Sequence, residues 1–177
     1  MGNPSHRPFA HPLALPCLLV LILATTGCAG YRLGSMLPPD IRTVFVPTFE
    51  NDTEEPLLEV EATRRVINAI QRDGSLRIAP RAEADSELFV TLTHFDMHAL
   101  AFDRDRRAAA EEYRMYITAS IRLERLGTRE VIAENPRVRG ETTFELIGDL
   151  TSAKLTAFPD AADDLAQQII SALVETW

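Results

Sequence analysis

Tyr113 to Glu124 reads YRMYITASIRLE. Tyr113, Met115, Ile117, Ala119, Ile121 and Leu123 alternate with Arg114, Tyr116, Thr118, Ser120, Arg122 and Glu124. Successive side chains of a strand point to opposite faces, so one face of this strand is buried and the other meets water or a partner. That half-solvated pattern belongs to an antiparallel sheet rather than to a parallel one covered on both sides.

On either side of this stretch lie its two expected neighbours. Phe102 to Ala110 (FDRDRRAAA) is too charged to be core and reads as the tip of a hairpin. Before it, Leu88 to Ala99 forms a long strand whose core positions are first Leu88, Val90 and Leu92, then Phe95 and Met97. A change of parity requires an extra residue, so a bulge is expected near Thr93 or His94. After the central strand, Gly127-Thr128 turns the chain into a last strand over roughly Glu130 to Leu146. It is interrupted at Asn135-Pro136, and Val138, Gly140, Thr142 and Phe144 share a face.

Further out are a strand and two helices. Ile41 to Phe49 (IRTVFVPTF) is a first strand that Pro47 closes or marks as an edge, because proline brings no ladder donor. Asn51-Asp52-Thr53 offers N-caps, and a helix from about Pro56 to Asp73 stripes Leu58, Ala62, Val66, Ala69 and Ile70 on one side, with Gly74 as its stop. Leu76 to Ala79 is a strand stub or a return leg, and Pro80 to Asp85 a polar turn. Ile147 to Ala157 reads as a mixed loop. Pro159 then opens a closing helix with Asp160, Asp163 and Asp164 in its first turn and Leu165, Ile169, Leu173 and Trp177 as its buried stripe. The expected fold class is α+β: a two-layer sandwich with a mostly antiparallel four-stranded sheet, order β-α-β-β-β-α, and two helices packed on one face.

The N-terminal part of the chain decides where this domain is held. Leu13 to Ala24 (LALPCLLVLILA) is about 12 apolar residues, the length of a signal-peptide core and short of the ~20 that span a bilayer. It runs into Thr25-Thr26-Gly27-Cys28. A small residue before a cysteine at this place looks like a lipobox, cut before Cys28, with a diacylglycerol thioether on its sulfur and an acyl chain on the new amine. Residues 1–27 would be the removed signal, 28–40 a lipidated tether and 41–177 the folded domain. The alternative is a soluble secreted protein. Ala29, in place of an aspartate, points to the outer membrane.

Composition narrows the function classes. Removing the leader takes away Arg7 and no acid, so the formal charge goes from −8 to −9. A chain this acidic has no general attraction for nucleic acid. Cys17 leaves with the leader and Cys28 carries lipid, so no disulfide forms and the fold rests on an apolar core. His94 and His98 sit four apart on a strand, about 13 Å, too far to share an ion. No G-x-S-x-G, phosphate loop or paired acid and base occurs, so no metal, cofactor or enzymatic activity is expected. One cationic cluster stands out in an acidic protein. Arg104, Arg106 and Arg107 on the hairpin tip read either as a solvated turn balanced by Asp103 and Asp105, or as guanidinium forks for an anionic lipid phosphate.

Several stretches resemble the lipopolysaccharide-assembly lipoprotein family LptE. They are Cys28-Ala29-Gly30-Tyr31, the run Val46-Pro47-Thr48-Phe49-Glu50-Asn51-Asp52-Thr53, Arg72-Asp73-Gly74, Glu83-Ala84-Asp85, Asp164-Leu165-Ala166 and Glu175-Thr176-Trp177. The resemblance implies an outer-membrane lipoprotein facing the periplasm. It would act as plug and assembly partner of the β-barrel LptD while lipopolysaccharide passes to the cell surface. The family provides no sharp site motif, so no lipopolysaccharide-binding residue is carried over. The competing class is an independent envelope lipoprotein of similar build, a lipid carrier or a subunit of another secretion machine.

Overall fold

Pro47 lies in the gap that divides the first strand in two, and both pieces pair with the same neighbour. In the computed structural model, which describes residues 37–102 and 110–174, β1 is Thr43–Phe45 and β2 is Glu50–Asn51. Then come α1 (Leu58–Asp73), β3 (Arg77–Ile78), β4 (Ser86–Phe102), β5 (Ala110–Arg125), β6 (Val131–Glu145) and α2 (Leu150–Val174). The six strands make one sheet in the order β3-β1-β4-β5-β6, with β2 also paired to β4.

The sheet is mixed and six-stranded, which corrects the expected mostly antiparallel sheet of four strands. β4, β5 and β6 are the expected antiparallel meander. β1, β2 and β3 instead pair in parallel, Val44 with Ser86, Glu50 with Thr91 and Thr43 with Arg77. The cause is connectivity: α1 carries the chain back to the end from which β1 started, and a strand entered that way runs parallel to the first. The Leu76 to Ala79 segment is thus the return leg, shortened to a two-residue edge strand.

Both helices cover one face, and the alternation on β5 survives intact. Met115, Ile117, Ala119 and Leu123 are fully buried and Ile121 nearly so. They meet Leu58, Val66 and Ile70 from α1 and Leu165, Ile169 and Leu173 from α2. Each large aliphatic side chain buried this way contributes about 1.5–3 kcal/mol. The expected bulge is at Thr93, where the β4–β5 register slips between Leu92 and His94, and this keeps both Leu92 and Phe95 on the helix side. Asn135-Pro136 produces a second slip, between Ala119 and Ile121 on β5.

Two helix starts differ from expectation. None of Asn51, Asp52 and Thr53 caps α1; its N-cap is Leu57 in a left-handed conformation (φ 64°) without a side-chain cap. Asn51 organises the approach instead. Its amide donates to the Glu55 carbonyl (2.9 Å) and to Glu59 Oε2 (2.7 Å), and its Oδ1 accepts from the Thr53 amide (3.0 Å) and hydroxyl (2.7 Å). Buried Thr63 accepts from the Phe49 amide (3.0 Å), which ties the end of this run to the helix. Gly74 closes α1 as expected, at φ 78°, donating its amide to the Ile70 carbonyl.

α2 begins two turns earlier than expected, and Pro159 lies inside it rather than opening it. Asp149 marks the start: its carboxylate accepts from the Ser152 amide (3.0 Å) and its carbonyl from that of Ala153 (3.1 Å). A proline within a helix costs about 3 kcal/mol. Ala157, Phe158, Ala161 and Ala162, all buried, carry the apolar stripe across it and offset that cost. Asp163 and Asp164 are therefore not first-turn acids. Asp163 pairs with Arg65 of α1, and Asp164 accepts from the Glu141 amide of β6 (2.8 Å).

Candidate functional site

The sheet face turned away from the helices carries a row of patterned side chains. Its centre is Tyr116 on β5, held between neighbours on both sides. The Arg139 guanidinium of β6 lies 4.5 Å from the ring centroid, and the His98 ring of β4 meets its edge at 5.8 Å. Thr93, His94, Asp96, Thr118, Pro136 and Arg137 complete a concavity of about 600 Å³. Arg114 reaches Thr143 Oγ1 across the β5–β6 pair (3.3 Å), and Arg122 pairs with Glu124 (2.8 Å) above the Phe89 ring. The strand parity that buries Met115 and Ile117 puts these groups outward.

The rims of this face are blunted at several points. On β6 the outward Glu141 amide is occupied by Asp164, that of Arg137 by Asn135 Oδ1 (2.9 Å), and Pro136 has none to offer. Side-chain capping and a proline are the usual means of blunting an edge. At the other edge β3 is only two residues long.

The face presents aromatic, cationic and imidazole side chains side by side, a chemistry fit for contacts with a partner. His94 and His98 stand exposed on the open face, and no group of three or more metal-ligating side chains exists among the described residues. The carboxyls with displaced pKa values all move downward, opposite to what a general acid at neutral pH needs. For Asp40 the Arg125 guanidinium is the cause, for Asp85 the Arg42 backbone amide, and for Asp149 the Ser152 amide. Partial burial pushes Glu61 up, but hydrogen bonds from Arg64 and Arg65 outweigh it.

Of the sites expected from sequence, Cys28 and the arginines 104, 106 and 107 lie outside the described residues. Arg114, Arg137 and Arg139 were not singled out. The signal for them was parity: once Tyr113 to Glu124 is read as a strand with Arg114 and Tyr116 outward, the outward residues of its neighbour include Arg137 and Arg139. Reading them needed the register, Tyr116 opposite Glu141 and Thr118 opposite Arg139, which alternation within one strand does not supply.

Comparison with known proteins agrees with this architecture. A crystal structure of a protein from Xanthomonas campestris superposes with a TM-score of 0.55 at 12% identity, over 80% of this chain and 88% of that one. One from Caulobacter crescentus, described as a candidate lipoprotein, gives 0.51 at 12% identity over 75% and 88%. At such identities the likeness is one of fold. Among curated proteins none is similar enough in sequence to count as a relative. Among the described residues no helix is long and apolar enough to cross a membrane. The model of the LptE family, described as lipopolysaccharide-assembly, matches residues 41–173. With most of its length matched, including every strand and nearly all of α2, this chain belongs to the LptE family of bacterial envelope lipoproteins.

Proposed function

We propose that this protein is an outer-membrane lipoprotein that plugs and helps assemble the LptD β-barrel through which lipopolysaccharide reaches the cell surface. Family membership over residues 41–173 carries the reading. The geometry supports it in a specific way: a sheet with blunted edges and one polar, cation-bearing face is suited to lie against a wall of side chains, as a plug does, without merging into the barrel's own strands.

In this proposal residues 1–27 are a signal removed before Cys28, and residues 28–40 form the lipidated tether. The acyl chains on Cys28, each buried methylene contributing about 0.8 kcal/mol, hold the domain facing the periplasm. Arg104, Arg106 and Arg107 contact lipid phosphates between β4 and β5. The role involves binding and assembly without a catalysed reaction.

Depletion in the native organism, with crosslinking of the folded domain, tests this. The expected result is a barrel of translocon size crosslinked to the protein, and less surface lipopolysaccharide on depletion. Normal export with the barrel assembled would favour an independent envelope lipoprotein. Mass spectrometry of the native N-terminus should show acylated Cys28 as the first residue. Replacing Arg104, Arg106 and Arg107 together by Ser should weaken binding to lipid A phosphates, and unchanged binding would remove those residues from the proposal.

A further inference from the structure

On the helical side, far from the open sheet face, the N-terminal turns of α1 and the first half of α2 enclose a groove of about 860 Å³. Its walls are Leu57 and Val60 on one side and Leu155 and Phe158 on the other. Leu57, Val60 and Leu155 are 71%, 55% and 56% exposed. Aliphatic side chains this open, gathered along one groove, mark a surface that something covers.

The exposure of Leu57 is built rather than incidental. Its left-handed backbone is unfavourable for a residue with a branched side chain, on the order of 1 kcal/mol. The four hydrogen bonds of Asn51 shape the turn that delivers the chain to that conformation. The Leu57 backbone is held by the turn and by the Val60 and Glu61 amides that donate to its carbonyl, while its side chain is left in water. Across the groove Lys154 pairs with Glu55 (2.7 Å), so the floor is fixed in position.

Charge selects the occupant. Of the two cations lining the groove, Lys154 is taken by Glu55 and Arg64 by Glu61. Glu54 lines the groove as an exposed acid, Asp52 and Asp160 are exposed acids close along the chain to the lining residues Glu54 and Pro159, and no salt bridge among the described residues engages any of the three. This rim repels an anionic lipid headgroup and attracts a cationic one-sided apolar segment. The wall from Leu57 to Arg64 is about 11 Å long, the length of two helical turns. We propose that the groove receives an amphipathic helix of a partner protein, two turns of apolar side chains seated between Leu57 and Leu155 and a Lys or Arg beside Glu54. This does not depend on the barrel partnership.

A benzophenone photo-crosslinker placed at Leu57, and separately at Leu155, in the full chain in cells tests it, with the crosslinked peptide sequenced by mass spectrometry. Both positions should capture one and the same segment, with apolar residues at helical spacing and a basic residue within a turn of them. Glu54→Lys should cut the crosslinking yield about tenfold while leaving the far-ultraviolet circular dichroism and melting temperature unchanged. A probe at exposed Gln168 should not capture that segment. Capture of lipid, of a second copy of this chain, or of a segment without basic residues would overturn the proposal, as would a yield indifferent to Glu54→Lys or equal capture from Gln168.

Discussion

Gly140 of β6 lies directly under the backbone of Leu165 in α2: a Cβ added there would stand 2.3 Å from the Leu165 amide nitrogen and 2.5 Å from its Cα. Atoms of a helix backbone cannot swing aside as the end of a side chain can. The absence of a side chain at this one residue lets the helix settle on the strand, and the same approach brings Asp164 within reach of the Glu141 amide.

Gly140→Ala should therefore lift α2 from β6. The expected loss is about 1–3 kcal/mol, the usual cost of overpacking, with a fall in melting temperature of roughly 5–10 °C. Thermal unfolding followed by circular dichroism measures it, and amide exchange at Glu141 should quicken in the same variant. An unchanged melting temperature would mean that the helix does not rest on this residue.

Asp85 joins the start of β1 to the start of β4. Its Oδ2 accepts from the amides of Arg42 (3.0 Å) and Thr43 (2.9 Å) and from the Thr43 hydroxyl (2.8 Å), which lowers its pKa from 3.8. A carboxyl whose folded pKa is lowered binds its proton less readily in the folded chain than in the unfolded one. Its contribution is complete above the unfolded value near 4 and is lost as pH falls through the lower folded value. Asp85→Asn should cost about 1–2 kcal/mol at pH 7. In urea titrations the difference between wild type and variant should shrink steadily from pH 5 to pH 2; a constant difference would contradict it.

Asn51→Ala should release the turn before α1, since four hydrogen bonds end on that side chain. About 1–3 kcal/mol is at stake where the orphaned groups are half-buried. Hydrogen exchange should show faster opening of residues 52–57 than of the β5 core, because the loss is local before it is global.

Arg65 ties the helices together, bonded to Glu61 on its own helix (2.7 Å) and to Asp163 on the other. Asp163 Oδ1 is buried without a hydrogen bond, with the Arg72 guanidinium 3.9 Å away, so the only hydrogen bond from a guanidinium to this carboxylate among the described residues is that of Arg65 to its second oxygen. Arg65→Ala should destabilise by about 1–2 kcal/mol, and Asp163→Asn made in that background should recover part of the loss. A double-mutant cycle gives the coupling, which is expected to weaken only modestly at high salt because both side chains are mostly covered.

Patterns that repeat within a single element were legible in the chain itself. The period of two from Tyr113 to Glu124, the helical stripe from Leu58 to Ile70, the stop at Gly74 and the bulge at Thr93 all follow from where apolar residues recur, since burial acts on each element independently. The LptE resemblance rests on short local runs as well, such as Val46 to Thr53 and Arg72-Asp73-Gly74. Other features needed the assembled fold. Whether Leu76 to Ala79 pairs in parallel depends on where α1 returns the chain. Whether Pro159 begins or interrupts a helix depends on whether the residues before it have a core to pack against. Gly140, Arg137 and Arg139 acquire their roles only when another element lies across them. Local periodicity is a property of the sequence, whereas register, close approach and the charge of a face arise from pairs of residues far apart along it, and these are set only when the layers come together.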